Sequence, residues 1–307
     1  MQRLTYGVRT QDPGDHDDPA ARAAIERTPA FRDFAAGLRH IDDALRASPD
    51  PYANAVGIWL NVPRQDGDEH AVPESERRRQ LVALAGASKD PRIYELAFLT
   101  CGRSAEDGCY ALSARRWAEL DAGNSVPLSF ILDDAKARGD VSGQEEAWFH
   151  MATAARVNDR TLAQLQPIIA SSNGSAGDQA AAEGLAMLAM GISAAWPLPV
   201  GRLYDCRPGA LADANRAQLC ARYANLMFEH SDSMTTRSYG ATLIRRVGGD
   251  ARPGAIVRSE LEGWLQAWTP TKTLTCGELA GQLAFLSRAA TDGGPAALHP
   301  VSSAAAP

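Results

Sequence analysis

Residues 47–60 read ASPDPYANAVGIWL, and residues 87–100 read ASKDPRIYELAFLT. Ala47, Ser48, Asp50 and Pro51 recur as Ala87, Ser88, Asp90 and Pro91, forty positions later. Each Asp-Pro step has the chemistry of a helix start. The aspartate carboxylate can accept from backbone N–H groups that have no partner in the first turn, and proline tolerates that turn because it has no N–H. The helices that follow also align, Gly57-Ile58-Trp59 with Ala97-Phe98-Leu99. Shared capping alone would produce so short a match. Repetition would make a unit of two helices in forty residues, which is the period of stacked helical hairpins.

The same period-3.6 patterning extends outward in both directions. Upstream, Phe31, Phe34, Leu38 and Ile41 recur at three and four and share one helix face. Residues 62–75 form a polar break, and 77–86 and 91–99 read as helices. Downstream, Arg115 to Leu120 ends a helix and Asp121 to Asn124 makes a turn. Leu128, Ile131, Leu132 and Ala135 then mark another helix, stopped at Arg138-Gly139-Asp140, where glycine suits a left-handed cap. The next helix is expected from about Gly143, with Ala147, Trp148, Met151 and Ala155 along it. Beyond it, helical patterns cover Leu162–Ile169, a segment from Asp178, then 210–229, 236–247, 253–268 and 276–289. Loops are expected over Ser171–Gly177 and Pro197–Gly209. No stretch alternates at period two long enough to require a sheet. The expected fold class is all-α, antiparallel helix pairs stacked as a solenoid.

The stretch Trp117–Ala155 resembles a tetratricopeptide (TPR) or Sel1-like repeat. Leu120 to Asn124 is similar to the linker between such repeats, Gly139-Asp140 to the turn within one, and Glu146-Ala147 to the start of the second helix. Two departures stand out. Val141 to Gln144 would lengthen the turn, and Lys136 sits where the family often carries a large aromatic residue. The resemblance covers one unit. It implies a helix-hairpin solenoid that recognises a protein or peptide on a concave surface lined by the first helices. The candidate groove residues are Tyr52, Asn54, Arg92, Tyr94, Asn124, Lys136 and His150, with Leu128, Ile131 and Trp148 spanning the same unit.

Organisation and charge narrow the function. The chain has 307 residues, enough for one large domain or two ordinary ones. Residues 1–25 read as a poorly ordered segment, 26–290 as the helical-repeat domain and 291–307 as a flexible tail. With 31 Lys and Arg against 37 Asp and Glu, the net charge is −6, and no basic tract offers a nucleic-acid surface. Arg77-Arg78-Arg79 follows Glu74 and Glu76 and reads as a solvated helix start. The uncharged run Gly184–Val200 is short for a membrane span and reads as a buried helix ending before Pro197.

Cys101 and Cys109 lie eight apart, and Cys206 and Cys220 fourteen apart, leaving Cys276 single. Two local disulfides would place the protein in the periplasm or outside the cell. Met1 to Thr10 lacks the apolar run of a signal peptide, which points instead to the cytoplasm. The expectation is a periplasmic or secreted protein, with the cytoplasm as the alternative.

No catalytic fingerprint emerges. There is no HExxH, CxxC, GxSxG, GxGxxG or phosphate-loop pattern, so no cofactor, metal or nucleophile is expected. Asp42-Asp43, Asp133-Asp134 and Glu145-Glu146 are adjacent pairs that do not share a helix face. His150 and His230 sit near acidic or aromatic neighbours and read as structural or groove hydrogen-bonding groups. The expected function is a scaffold or adaptor that binds a protein or peptide. The alternative is an all-helical hydrolase or lyase with its active site in the concave face.

Overall fold

A computed structural model of the chain describes residues 27–61, 72–102, 104, 106–158, 160, 162–172, 175–194, 200–268, 283–288 and 291. The expectations for residues 1–25, for 62–71 of the 62–75 break, and for Pro197, Cys276 and the tail beyond 291 lie outside the described residues; the break itself ends earlier than expected, since a helix starts at Glu74. Among the described residues every regular element is helical. The sole extended pairings there are two isolated bridges, Asn124–Arg156 and Val157–Ser231. No helix among them is long and apolar enough to cross a membrane.

The helices are α1 (Pro29–Arg46), α2 (Pro51–Leu60), α3 (Glu74–Ala87), α4 (Pro91–Cys101), α5 (Ala114–Leu120), α6 (Ser125–Ala137) and α7 (Val141–Ala152). They continue as α8 (Leu165–Ala170), α9 (Ala176–Ala194), α10 (Val200–Asp205), α11 (Ala214–Glu229), α12 (Met234–Arg246) and α13 (Arg252–Trp268). Residues 283–288 are also helical.

The two matching stretches fold alike. Asp50 accepts from the Tyr52 N–H at 3.1 Å, and Asp90 from the Arg92 N–H at 2.9 Å. Ser48 accepts from the Asp50 N–H at 3.2 Å, and Ser88 from the Asp90 N–H at 2.9 Å. So the second helix of two successive hairpins, α1–α2 and α3–α4, begins with one and the same network of caps. The hairpins also pack on each other through α2 with α3 and α4.

Farther along, the structure moves several boundaries. Gly139 takes φ 68°, the left-handed value expected of it. The turn it makes is short, because α7 begins at Val141 rather than near Gly143. Asp140 caps α7 by accepting from the Gly143 N–H at 2.8 Å, and a side chain at 143 would collide with that carboxylate. Val141 to Gln144 therefore form the first turn of α7, and Glu146-Ala147 lie inside the helix. The lengthened turn inferred from the repeat resemblance is absent. The expected loop over 197–209 contains α10. The expected helix over 210–229 is broken at Asp213, which ends a 3-10 turn and caps α11 through the Arg216 N–H at 2.8 Å.

Apolar side chains gather in two cores. The first is built from α1–α5, α8, α9 and residues 283–286, with Ile41, Leu81, Leu96, Trp117, Leu165 and Leu286 fully buried. The second is built from α6, α7, α10–α12 and Val157, around Leu132, Trp148, Met151, Tyr223 and Leu243. The two differ in how the chain closes them. In the second, the most extensive packing joins helices close in sequence, α6 with α7 and α11 with α12. In the first, the most extensive packing joins α1 with α9, clasped by His40 Nδ1 and Asp178 Oδ2 at 2.7 Å across 138 positions. A strictly nearest-neighbour stack has no such return.

A candidate binding cleft at the seam of two cores

Helix α4 belongs to the first core and α6 to the second. Between them run α5 and the turn Asp121–Asn124. A strap, residues 153–158 with Arg160, crosses this seam. Its Ala155 and Arg156 N–H groups donate to Gly123 O at 2.9 and 3.1 Å, and the Val157 N–H donates to His230 O at 2.9 Å. The strap thus carries two arginines to carboxylates that the sequence buries on α4 and after α5.

The resulting network is compact. Asp121, only 1% of whose side chain is exposed, receives Arg156 at 2.6 Å, Arg160 at 2.7 Å and the Asn124 amide at 2.7 Å. Arg160 also reaches the buried Glu95 at 2.7 Å. Asn124 caps α6 through the Val126 N–H at 3.2 Å and pairs with the backbone of Asn158. Arg160 adopts φ 46°. That left-handed backbone costs a residue with a Cβ about 1–2 kcal/mol, offset here by two ion pairs. Burial works against the charge on Arg160, but Glu95 and Asp121 outweigh it and hold the guanidinium protonated more firmly than usual. Burial pushes the neighbouring Tyr52 hydroxyl well above its ordinary range, and the Glu95 charge adds to that.

One turn beyond Glu95, α4 opens on a cleft of about 710 Å³ bounded by the loop after α4, by α5 and by α6. Phe98, Leu99, Leu112, Phe130 and Ile131 supply its apolar lining, and all five are half-buried. Phe98 and Phe130 meet edge to face at 5.2 Å and rest on the buried Trp117. Phe130 packs on the first core and Ile131 on the second, so the floor spans the seam. The rim is charged. Asp133 is held by Arg202 and Asp134 by Arg138, while exposed Arg115 has no carboxylate within ion-pair distance among the described residues.

Both expected disulfides are present. Cys101–Cys109, with Cα atoms 5.7 Å apart, closes the loop that carries Gly102 and leads into Leu112, both lining the cleft. Cys206–Cys220, with Cα atoms 5.9 Å apart, lies inside the second core.

No family model, curated protein or solved structure matches this chain.

None of the seven groove residues read from the sequence lines this cleft. Tyr52 is buried, with the Arg92 guanidinium 4.1 Å over its ring. Arg92 is half-buried and paired with Asp90 at 2.6 Å. Tyr94 is buried; its hydroxyl accepts from the Ser113 N–H at 2.9 Å. Asn124 belongs to the seam network. These four gather near one another around α4. Asn54 instead donates to Arg46 O at 2.5 Å, tying down the end of α1. Lys136 pairs with Asp205 on α10 at 2.5 Å. His150 is exposed, 3.9 Å from Glu146, and His230 is likewise exposed, 3.9 Å from Glu229. Arg77, Arg78 and Arg79 are engaged with Glu74, Glu76, Asp107 and Trp59 O.

The sequence reading missed Glu95, Arg156, Arg160, Arg115 and the aromatic floor. A signal for the floor was present. Helices α4 and α6 are apolar nearly all round, with Ile93, Leu96, Phe98 and Leu99 on one and Val126, Leu128, Phe130 and Ile131 on the other. A helix with one buried stripe needs no such breadth. The arginines carried no signal, since 156 and 160 fall outside any periodic pattern.

Proposed function

We propose that this protein is a scaffold or adaptor of an oxidising compartment, outside the cytoplasm, that binds a peptide segment in the seam cleft. The supporting observation is the cleft itself: an open apolar floor of five half-buried side chains beside the cross-braced seam. Its volume falls in the range of ordinary ligand sites, which are mostly apolar with a few polar groups. Tandem hairpins with identical caps accord with a TPR-like arrangement over α1–α4, and the two disulfides accord with export. The two carboxylates at the rim are each held by an arginine, which suits a binding surface better than paired acid–base work.

The test is selection from a random dodecapeptide library displayed on phage, run on the wild-type protein and on Leu99→Glu and Ile131→Glu. Peptides enriched on the wild type should lose roughly tenfold or more in affinity for both variants, equivalent to about 1.4 kcal/mol. No enrichment on the wild type, or equal binding to variants that melt like it, would overturn the reading.

A further inference from the structure

The cleft's charges are unequal. On the α6 side, Asp133 and Asp134 are already neutralised by Arg202 and Arg138, and Arg202 is itself buried. On the α5 side, Arg116 is paired with Glu119 at 2.8 Å, whereas Arg115 lines the cleft with no carboxylate within ion-pair distance among the described residues. An occupant therefore meets an apolar floor and one uncompensated guanidinium. A guanidinium offers a planar fork of donors that matches a carboxylate. We infer that the cleft selects acidic-apolar segments: an aliphatic or aromatic side chain on the Phe98–Phe130 floor, beside an Asp, a Glu or a chain-terminal carboxylate held by Arg115. This inference rests on the cleft being a peptide site, and it makes Arg115 the residue that sets specificity there.

Long-range electrostatics run the other way. A chain with net charge −6 attracts basic partners from a distance. An acidic preference has to come from a local cation, and at the cleft Arg115 is positioned to supply it.

The experiment uses the same random library on wild type, Arg115→Gln and Arg115→Glu, with the enriched pools sequenced and their acidic and basic residues counted. Position 115 is exposed in the first turn of α5, where a glutamate is favoured by the helix dipole, so both variants are expected to melt with the wild type. Wild type should enrich acidic over basic residues beside the apolar anchor by roughly two- to fivefold, the scale of one exposed ion pair. Arg115→Gln should abolish that bias, Arg115→Glu should reverse it, and high salt should flatten both. If the enriched peptides need Leu99 and Ile131 but show no acidic bias, or keep it in Arg115→Glu, this inference falls and the cleft remains a peptide site. If enrichment does not depend on Leu99 and Ile131, both fall together.

Discussion

The two cores answer the same problem by different means. In the first, helices far apart in sequence meet, and α9 returns to lie on α1. That approach is close enough to require glycine on both helices. A Cβ at Gly37 would sit 2.5 Å from Gly177 O, and one at Gly177 would sit 2.6 Å from Asp33 O. The first core's disulfide is also buried, but it lies outside the apolar cluster and ties the last residue of α4 to the loop beside the cleft. In the second, sequential helices pair, and the disulfide is fully buried among them. There, Arg202 joins Asp133 to Asp205, and Lys136 joins the same aspartate, fastening the six-residue α10 to α6. One core is held by a long-range return, the other by local pairing plus internal cross-links.

Breaking the seam tests whether the cores depend on each other. Asp121→Ala removes the carboxylate shared by Arg156, Arg160 and Asn124, while Arg160 keeps its ion pair with Glu95. Losing one side of a buried ion pair costs about 3–5 kcal/mol, because the other charge stays buried. Urea denaturation should show the wild type unfolding in one transition. Asp121→Ala should unfold earlier, and in two steps. Trp148 would report the second core, and Trp59 with Trp117 the first. A single transition at the wild-type midpoint would show that the network does not couple them.

The disulfides sharpen the comparison at a smaller scale. By chain entropy alone, Cys206–Cys220 contributes about 3 kcal/mol and the shorter Cys101–Cys109 loop about 2.5 kcal/mol. Stability therefore barely distinguishes them, and their placement should. Replacing Cys101 and Cys109 by alanine should weaken peptide capture by more than its stability loss accounts for. Replacing Cys206 and Cys220 should lower the denaturation midpoint and leave capture by the remaining folded protein intact. Equal effects on capture would remove the distinction between a disulfide that shapes a site and one that holds a core.

The close approach of α1 to α9 comes next. Gly177→Ala forces a methyl group against Asp33 O and should cost about 1–3 kcal/mol, as overpacking does. Gly240 is the counterpart in the second core, where a Cβ would meet Phe228 N at 2.6 Å. Calorimetry on the two alanine variants should show comparable losses. A harmless Gly177→Ala would mean that the return of α9 is looser than its backbone geometry requires.

What could be read in advance follows from the range of the interactions. Asp50, Asp90 and Gly139 were legible because caps and left-handed turns depend on a few neighbouring residues. The start of α7 differs because Val141 to Gln144 read as extra turn residues, whereas they form its first turn and Gly143 makes room for the capping Asp140. Helix α10 escaped notice in a stretch rich in proline and glycine, since the ion pairs that hold it reach back 69 positions to α6. The candidate groove residues are polar or aromatic side chains, Tyr52, Asn54, Arg92 and Tyr94 on the matching helices and Asn124, Lys136 and His150 in the repeat-like unit. Burial then placed Tyr52, Tyr94 and Asn124 among protein partners, and no periodicity argument ranks such a residue against a half-buried Phe98 or Ile131.

The smallest expected effect bears on the repeated caps. Asp50→Ala and Asp90→Ala should each cost about 1 kcal/mol, the usual worth of an N-cap. The Asp90 cap depends on pH. Its burial disfavours the charge, but hydrogen bonds from the Arg92 side chain and backbone, with the charges of Arg92 and Arg160, outweigh that. They hold the carboxyl below its ordinary value. A carboxyl with a depressed folded-state pKa adds stability that is complete above its unfolded value, near pH 4, and disappears as pH falls through the folded one. The gap between wild type and Asp90→Ala should therefore be widest at neutral pH and narrow below about pH 4. Denaturation midpoints measured at neutral and acid pH would show it. A gap that stays constant would mean that the carboxylate's charge adds nothing to the cap, and that the hairpins share a backbone pattern rather than an electrostatic one.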